Sequence, residues 1–191
     1  MTNRTGNTSG TANAVLGLLS FGQELSGYDL KKWADHSLSL FYWSPAMSQI
    51  YAELRRLEDL GLVSSREVPQ DDLRNKRLYR ITDDGKAALA AWLLDEPVDT
   101  PVLKHPVLLR VWLGHLVPPD RLRSVIDEHR TRTEARLEQL SHNLERVAKQ
   151  ESWAYPELII RWAERYYEAE RDNATQLLAE FDALQAEGSK Q

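Results

Sequence analysis

Cysteine is absent from the sequence, which excludes disulfides and thiolate metal sites and is compatible with a cytosolic setting. No apolar run approaches the roughly 18 residues needed to span a bilayer, so a cytoplasmic protein without membrane attachment is expected. The stretch AVLGLLSFG is short and lacks both a basic segment before it and a small-residue cleavage site, which makes it a core helix rather than a signal peptide. No GxGxxG or GxxxxGK[ST] phosphate cradle, no HExxH and no GxSxG elbow occurs. The five histidines, His36, His105, His115, His129 and His142, lack compact metal-ligand spacing. Only a His–carboxylate site assembled from distant segments would escape that reading. No enzyme, metal or cofactor is therefore expected, and the pairs Asp71-Asp72 and Asp83-Asp84 read as a turn and a helix start.

What is present is a chain of 191 residues with 42% hydrophobic content, enough for one domain or two small ones. The net charge of −5 argues at first against a nucleic-acid partner. The acid excess is uneven: residues 120–191 hold 11 Lys+Arg against 15 Asp+Glu, whereas the segment RNKRLYR carries Arg74, Lys76, Arg77 and Arg80 with no acid. A local basic patch on an acidic protein survives this balance.

Residues 1–13 are rich in Thr, Asn and Gly and predict a disordered tail. Ala14 to Phe21 reads as a short buried helix ending at Gly22, and Ser26 as the N-cap of a second helix through about Ala34. HSLSLFYW reads as a loop or a poorly formed helical turn. Ser44 and Pro45 predict a helix start, as cap and first helical residue, with the helix running to Leu60 and Gly61 as its left-handed terminator. SSREV and KRLYRIT predict short strands joined by the turn PQDDLRN. Thr82 followed by two acids opens another helix that ends before Pro97. The division expected is a tail over 1–13, a first domain over 14–94, a proline-broken linker over 95–106 and a helical domain over 107–187.

In that last part, Thr133, Leu137, Leu140, Leu144 and Val147 recur at helical spacing. A second line runs through Ile159, Trp162, Tyr166, Ala169, Asn173, Leu177, Phe181 and Leu184. Both suit long amphipathic helices packed as an antiparallel pair or across a dimer. Six tryptophans suit core and dimer packing. The alternative is an apolar pocket between the first domain and the C-terminal helices, where Trp112 with Trp153 or Trp162 would stack on a planar effector.

The helix beginning near Ser48 has a face that packing does not require. At 100° per residue, Met47, Ile50, Tyr51, Leu54 and Leu57 form one arc, while Ser48, Ala52, Arg55 and Asp59 lie opposite, flanked by Gln49 and Arg56. Ser and Gln suit base edges, and Arg suits a guanine edge or a phosphate. A solvated face would also look like this. Context favours DNA: the helix follows two shorter ones and precedes a basic hairpin tip, Arg74-Asn75-Lys76-Arg77, spaced as a wing along a phosphate backbone would be.

The segments LLSFGQELSGYDLKKW, SPAMSQIYAELRRLEDLGLV and RLYRITDDGKAALAAWL closely resemble the winged-helix domain of PadR-family transcriptional regulators, over about Ala14 to Leu94. PVLLRVWLGHL and the two long helices resemble the larger C-terminal domain of the virulence-activator-related subgroup. The resemblance implies a mainly α fold with a small β-hairpin: an N-terminal winged helix-turn-helix and a C-terminal helical dimerisation domain. It further implies a cytoplasmic homodimer on palindromic operator DNA, usually repressing a neighbouring operon and sometimes released by a small aromatic or drug-like ligand. Position by position it assigns Tyr28 to the second helix, Ser48, Gln49, Tyr51 and Arg55 to the recognition helix, and Arg74, Lys76 and Arg77 to the wing. Asp71 and Asp72 depart from the frequent Gly-Arg-Pro wing and weaken or angle its backbone contact. The competing class is a winged-helix protein-interaction module that has lost DNA binding.

Overall fold

A computed structural model describes residues 9–70, 73–147 and 153–188. The chain divides into two compact units, Met1–Asp99 and Thr100–Gln191. The first contains helices α1 (Gly10–Leu19), α2 (Gly27–His36) and α3 (Met47–Asp59), the hairpin β1 (Val63–Gln70) and β2 (Leu73–Ile81), and helix α4 (Asp83–Asp95), with a 3-10 turn over Leu38–Leu40. Three helices, an antiparallel hairpin and a fourth helix in this order make a winged helix-turn-helix. The second unit is helical: α5 (Pro106–Trp112), a 3-10 turn over Gly114–Leu116, and the long α6 (Pro119–Val147) and α7 (Ala154–Gly188).

Helix α1 starts at Gly10, four residues earlier than the tail expectation allowed, because Ser9 accepts a hydrogen bond from the Ala12 N–H at 3.1 Å and caps it. Residues 1–8 lie outside the described residues. The core of this unit joins Ala12, Val15, Leu16 and Leu19 of α1 to Leu30 and Ala34 of α2, Ile50, Leu54 and Leu57 of α3, and Val63, Tyr79 and Ile81 of the hairpin. The i, i+4, i+7 spacing of Ile50, Leu54 and Leu57 seats α3 on one face, so its opposite face stays in water.

Helix α3 begins at Met47, not at Pro45. The Ser44 hydroxyl donates to Asp35 Oδ1 at 2.6 Å and receives Lys31 Nζ at 3.1 Å, so it is committed to α2 and does not cap α3. At the other end Gly61 takes φ +74°, the left-handed conformation that closes the helix.

The hairpin is longer than the two short segments expected. Val63 pairs with Ile81 and Val68 with Lys76, and the ladder slips between Val68 and Gln70. Pro69 therefore lies in β1 and not in the turn. A residue without an N–H is tolerated here because both strands of a two-stranded sheet are edges. Leu25 adds a single bridge, exchanging two backbone hydrogen bonds with Tyr79 at 2.9 and 3.1 Å. Thr82 caps α4 through the Gly85 N–H at 3.0 Å while its hydroxyl donates to the Gly61 carbonyl at 2.8 Å, locking hairpin, α3 terminus and α4 together.

In the second unit α6 and α7 run antiparallel, with Arg123 paired to Asp182 and His129 to Glu170. Val107, Leu122, Ile126 and Leu178 form a buried core. Thr133 and Leu140 of the first expected line are buried as expected; the side chains of Leu144 and Val147 lie outside the described residues. The second expected line meets the core only toward its C-terminal end, where Leu177 and Phe181 pack against it. Ile160, Ala163, Ala174 and Leu178 are buried, whereas Ile159, Trp162, Tyr166 and Leu184 are 37–63% exposed. Small residues at Ala163 and Ala174 let the helix backbones close, so Ile159, Trp162 and Tyr166 are left outside the seam.

Candidate nucleic-acid interface

Ser48, Gln49, Ala52, Arg55 and Arg56 are all exposed on α3, and the polar face inferred from the helical wheel is a real surface. Its members are not equally available. Gln49 turns its amide oxygen back to accept the Ala46 N–H at 2.8 Å, supplying the cap that Ser44 does not. Arg56 is drawn to Glu53, Nε to Oε2 at 3.1 Å. Arg55 has no carboxylate partner among the described residues. Glu58 and Asp59 close the helix with negative charge, which confines any phosphate contact to the N-terminal turns.

Beside this face stands the N-terminus of α2. Ser26 and Asp29 form a reciprocal capping box: the Asp29 N–H donates to Ser26 Oγ at 3.2 Å and the Ser26 N–H to Asp29 Oδ2 at 3.1 Å. Gly27 lets the two helices meet, since a Cβ there would lie 2.5 Å from Cε1 of Tyr51. Tyr51 thus packs against α2 with part of its ring exposed, at the edge of the buried arc. Tyr28 is 65% exposed on the same first turn.

The wing carries its cations along the strand and not at a tip. Lys76 lies opposite Val68 and Arg77 opposite Glu67. Each is held by an acid from a helix: Lys76 Nζ by Asp29 Oδ2 at 2.9 Å, and the Arg77 guanidinium by Glu58 Oε2 at 2.7 Å, with Arg77 Nε also donating to Ser65 Oγ. On β1, Arg66 Nε donates to Glu24 at 2.9 Å. Burial alone would raise the Asp29 carboxyl, but hydrogen bonds from Ser26 and Lys76 outweigh it and hold the group below its ordinary value. Asp71, Asp72 and the side chain of Arg74 lie outside the described residues. The charges of Glu24, Asp29 and Glu58 were not recognised from sequence as clamps on the wing. The available signal was an acid placed in or beside a helix that a charged strand must cross.

The three tryptophans expected to hold a planar ligand, Trp112 with Trp153 or Trp162, differ in exposure. Trp112 is 82% exposed, Trp162 stacks on Tyr166 with ring centroids 5.4 Å apart, and Trp153 is half-buried. A pocket of about 670 Å³ is lined instead by Leu103, Lys104, His105, Pro106, Leu108 and Leu109. Next to it a cluster that sequence spacing concealed brings His105 and His129 to one carboxylate, Glu170, at 2.6 and 2.7 Å. Burial pushes the Glu170 carboxyl up, and the two imidazole donors bring it below its ordinary value.

No helix among the described residues is long and apolar enough to cross a membrane. Residues 15–91 match the transcriptional regulator PadR-like family, and residues 103–182 match the virulence activator alpha C-terminal domain. The negative transcriptional regulator PadR of Bacillus subtilis (strain 168) is 31% identical over 134 residues, which cover 70% of this chain and 72% of that one. The crystal structure of Bacillus subtilis PadR in complex with operator DNA is similar with a TM-score of 0.72 and 26% identity, over 89% of this chain and 98% of that one. The structure of the same regulator in complex with p-coumaric acid matches with a TM-score of 0.65 and 27% identity, over 90% and 98% of the two chains.

Proposed function

The chain belongs to the PadR-like family of DNA-binding transcriptional regulators, and with that as premise we propose that it is a homodimeric repressor of a neighbouring operon, released by a small planar aromatic ligand. The observation that carries the DNA-reading surface is the exposed polar face of α3 from Ser48 to Arg55, with Gln49 at its flank, beside Tyr28 and the hairpin. Ser48 and Gln49 read base edges, Gln49 by exchanging its bond to Ala46 for one to DNA. Arg55 and Tyr28 position the helix on phosphates, with Tyr51 supporting it from the packed edge. Arg74, Lys76 and Arg77 make the wing contacts, Lys76 and Arg77 by partner exchange with Asp29 and Glu58.

A dimer places two such helices roughly 34–36 Å apart, in successive major grooves. The line Ile159, Trp162 and Tyr166, apolar and outside the α6–α7 seam, supports self-association. The effector reading is supported by the p-coumaric acid complex of the Bacillus subtilis relative, with Trp112, Trp153 and Trp162 as aromatic candidates. Footprinting on the DNA upstream of the protein's own gene tests the proposal. A protected palindrome is expected, with Gln49→Ala altering preference among operator variants. If Gln49→Ala and Arg55→Ala both leave operator binding untouched, the contact assignment is wrong. Absence of salt-dependent retention on that DNA would instead favour a protein-interaction module. Titration with phenolic acids, followed by operator release, tests the effector.

A further inference from the structure

The second unit holds a side-chain cluster that DNA binding does not use. His105 caps α5, His129 projects from α6 and Glu170 from α7, so two helices and the start of a third deliver one residue each. Both Nε2 atoms lie against the same carboxylate oxygen, at 2.6 and 2.7 Å, and the three donor atoms fall within 4.8 Å of one another. The side chains are only 13–21% exposed, and the two rings meet edge to face with centroids 5.1 Å apart. We propose that His105, His129 and Glu170 form a binding site for a divalent transition metal of the zinc class.

The donor set is suited to that ion: two imidazoles and a carboxylate leave one tetrahedral position for water. A zinc ion with bonds of about 2.0–2.1 Å needs its donors roughly 3.3–3.4 Å apart. The observed N···O separations are those of hydrogen bonds and open to that spacing by shifts below about 1 Å each. The elements are fixed from nearby, since Val107 and Ile126 of the buried core stand two and three residues from His105 and His129. That places His129 and Glu170 on braced helices and His105 at the cap that opens α5.

One hydrogen bond opposes the ion. His105 Nδ1 accepts the Leu108 N–H at 3.2 Å, which fixes the proton on Nε2 when no metal is present. Ligation through Nε2 moves that proton to Nδ1 through solvent, leaves the imidazole neutral and gives up the cap. The ion therefore competes with a helix cap and is exchangeable, unlike a closed four-ligand structural zinc.

The full chain, stripped with chelator, is titrated with Zn²⁺ and separately with Co²⁺. One equivalent per chain is expected, with visible Co²⁺ absorption that Zn²⁺ displaces. His129→Gln and Glu170→Gln should each weaken binding by more than the roughly 10–100-fold that loss of a supporting group costs, while His115→Gln and His142→Gln bind as the wild type does. Long-range ¹H–¹⁵N spectra of the wild-type imidazoles need no variant to fold: Zn²⁺ should shift the Nε2 signals of His105 and His129. No stoichiometric binding, equal binding by the His129 and Glu170 variants, or shifts confined to other histidines would overturn the site.

Discussion

A Cβ added at Gly85 would lie 2.1 Å from the carbonyl oxygen of Leu62, and backbone cannot swing away as a side chain can. Gly85→Ala should therefore destabilise the first unit by at least the roughly 1–3 kcal/mol typical of overpacking, read from the urea midpoint. At Asp29 the expectation concerns pH. Its carboxyl is held below its ordinary value, so the stability it contributes is complete above the unfolded carboxylate range and lost as pH falls through the lower folded value. Asp29→Asn should flatten the stability profile below about pH 4 and lower stability at neutral pH, measured by denaturation at a series of pH values. Capping residues of this kind were readable in advance, because Ser26 and Thr82 announce a helix through their own local pattern. The Ser44 hydroxyl was not, because its partners Lys31 and Asp35 sit on another helix.

The hairpin shows the same limit for a whole element. Its existence followed from two β-prone segments around a polar joint, but its length did not, since Pro69 reads as a turn residue until a slipped ladder accommodates it. Its cations likewise read as free. Arg77 is neutralised by Glu58 before any DNA arrives, whereas Arg55 has no such partner among the described residues. Arg55→Ala should accordingly lower the salt dependence of operator binding by close to the roughly 0.9 expected per phosphate contact, and Arg77→Ala by less. Glu58→Gln should free Arg77 and raise affinity for operator and unrelated DNA alike. Binding isotherms at several salt concentrations measure all three, and equal slopes for the two arginine variants would remove the distinction.

At the scale of the whole molecule, the division into a winged helix-turn-helix and a helical unit with long antiparallel helices was legible from element order and from two motif-rich segments. The seam was not. Apolar residues line two adjacent tracks of α7; the expected one packs at Leu177 and Phe181, whereas in the N-terminal half the aromatic side chains stay outside and the small-residue track packs. Periodicity identifies a helix with an apolar side; only the partner's shape chooses between neighbouring sides. The same ambiguity concealed His105, His129 and Glu170, which lie far apart in sequence and meet only because α5, α6 and α7 converge. If the aromatic track joins two copies, Trp162→Glu together with Tyr166→Glu should convert the dimer to a folded monomer by sedimentation, with unchanged helical content and lost operator binding.

A two-stranded ribbon, bridged on its β2 side only by Leu25, also presents open borders to every other extended chain in the cell. In β1, Pro69 withdraws one donor; Glu67 faces Arg77 across the ladder, and Arg66 and Lys76 add charge at neighbouring positions of the two strands. Residues suited to gripping phosphates thereby also discourage strand addition by a foreign edge. A wing stripped of charge to reduce its hold on DNA would lose that protection at the same time, and its first failure in the test tube would be precipitation.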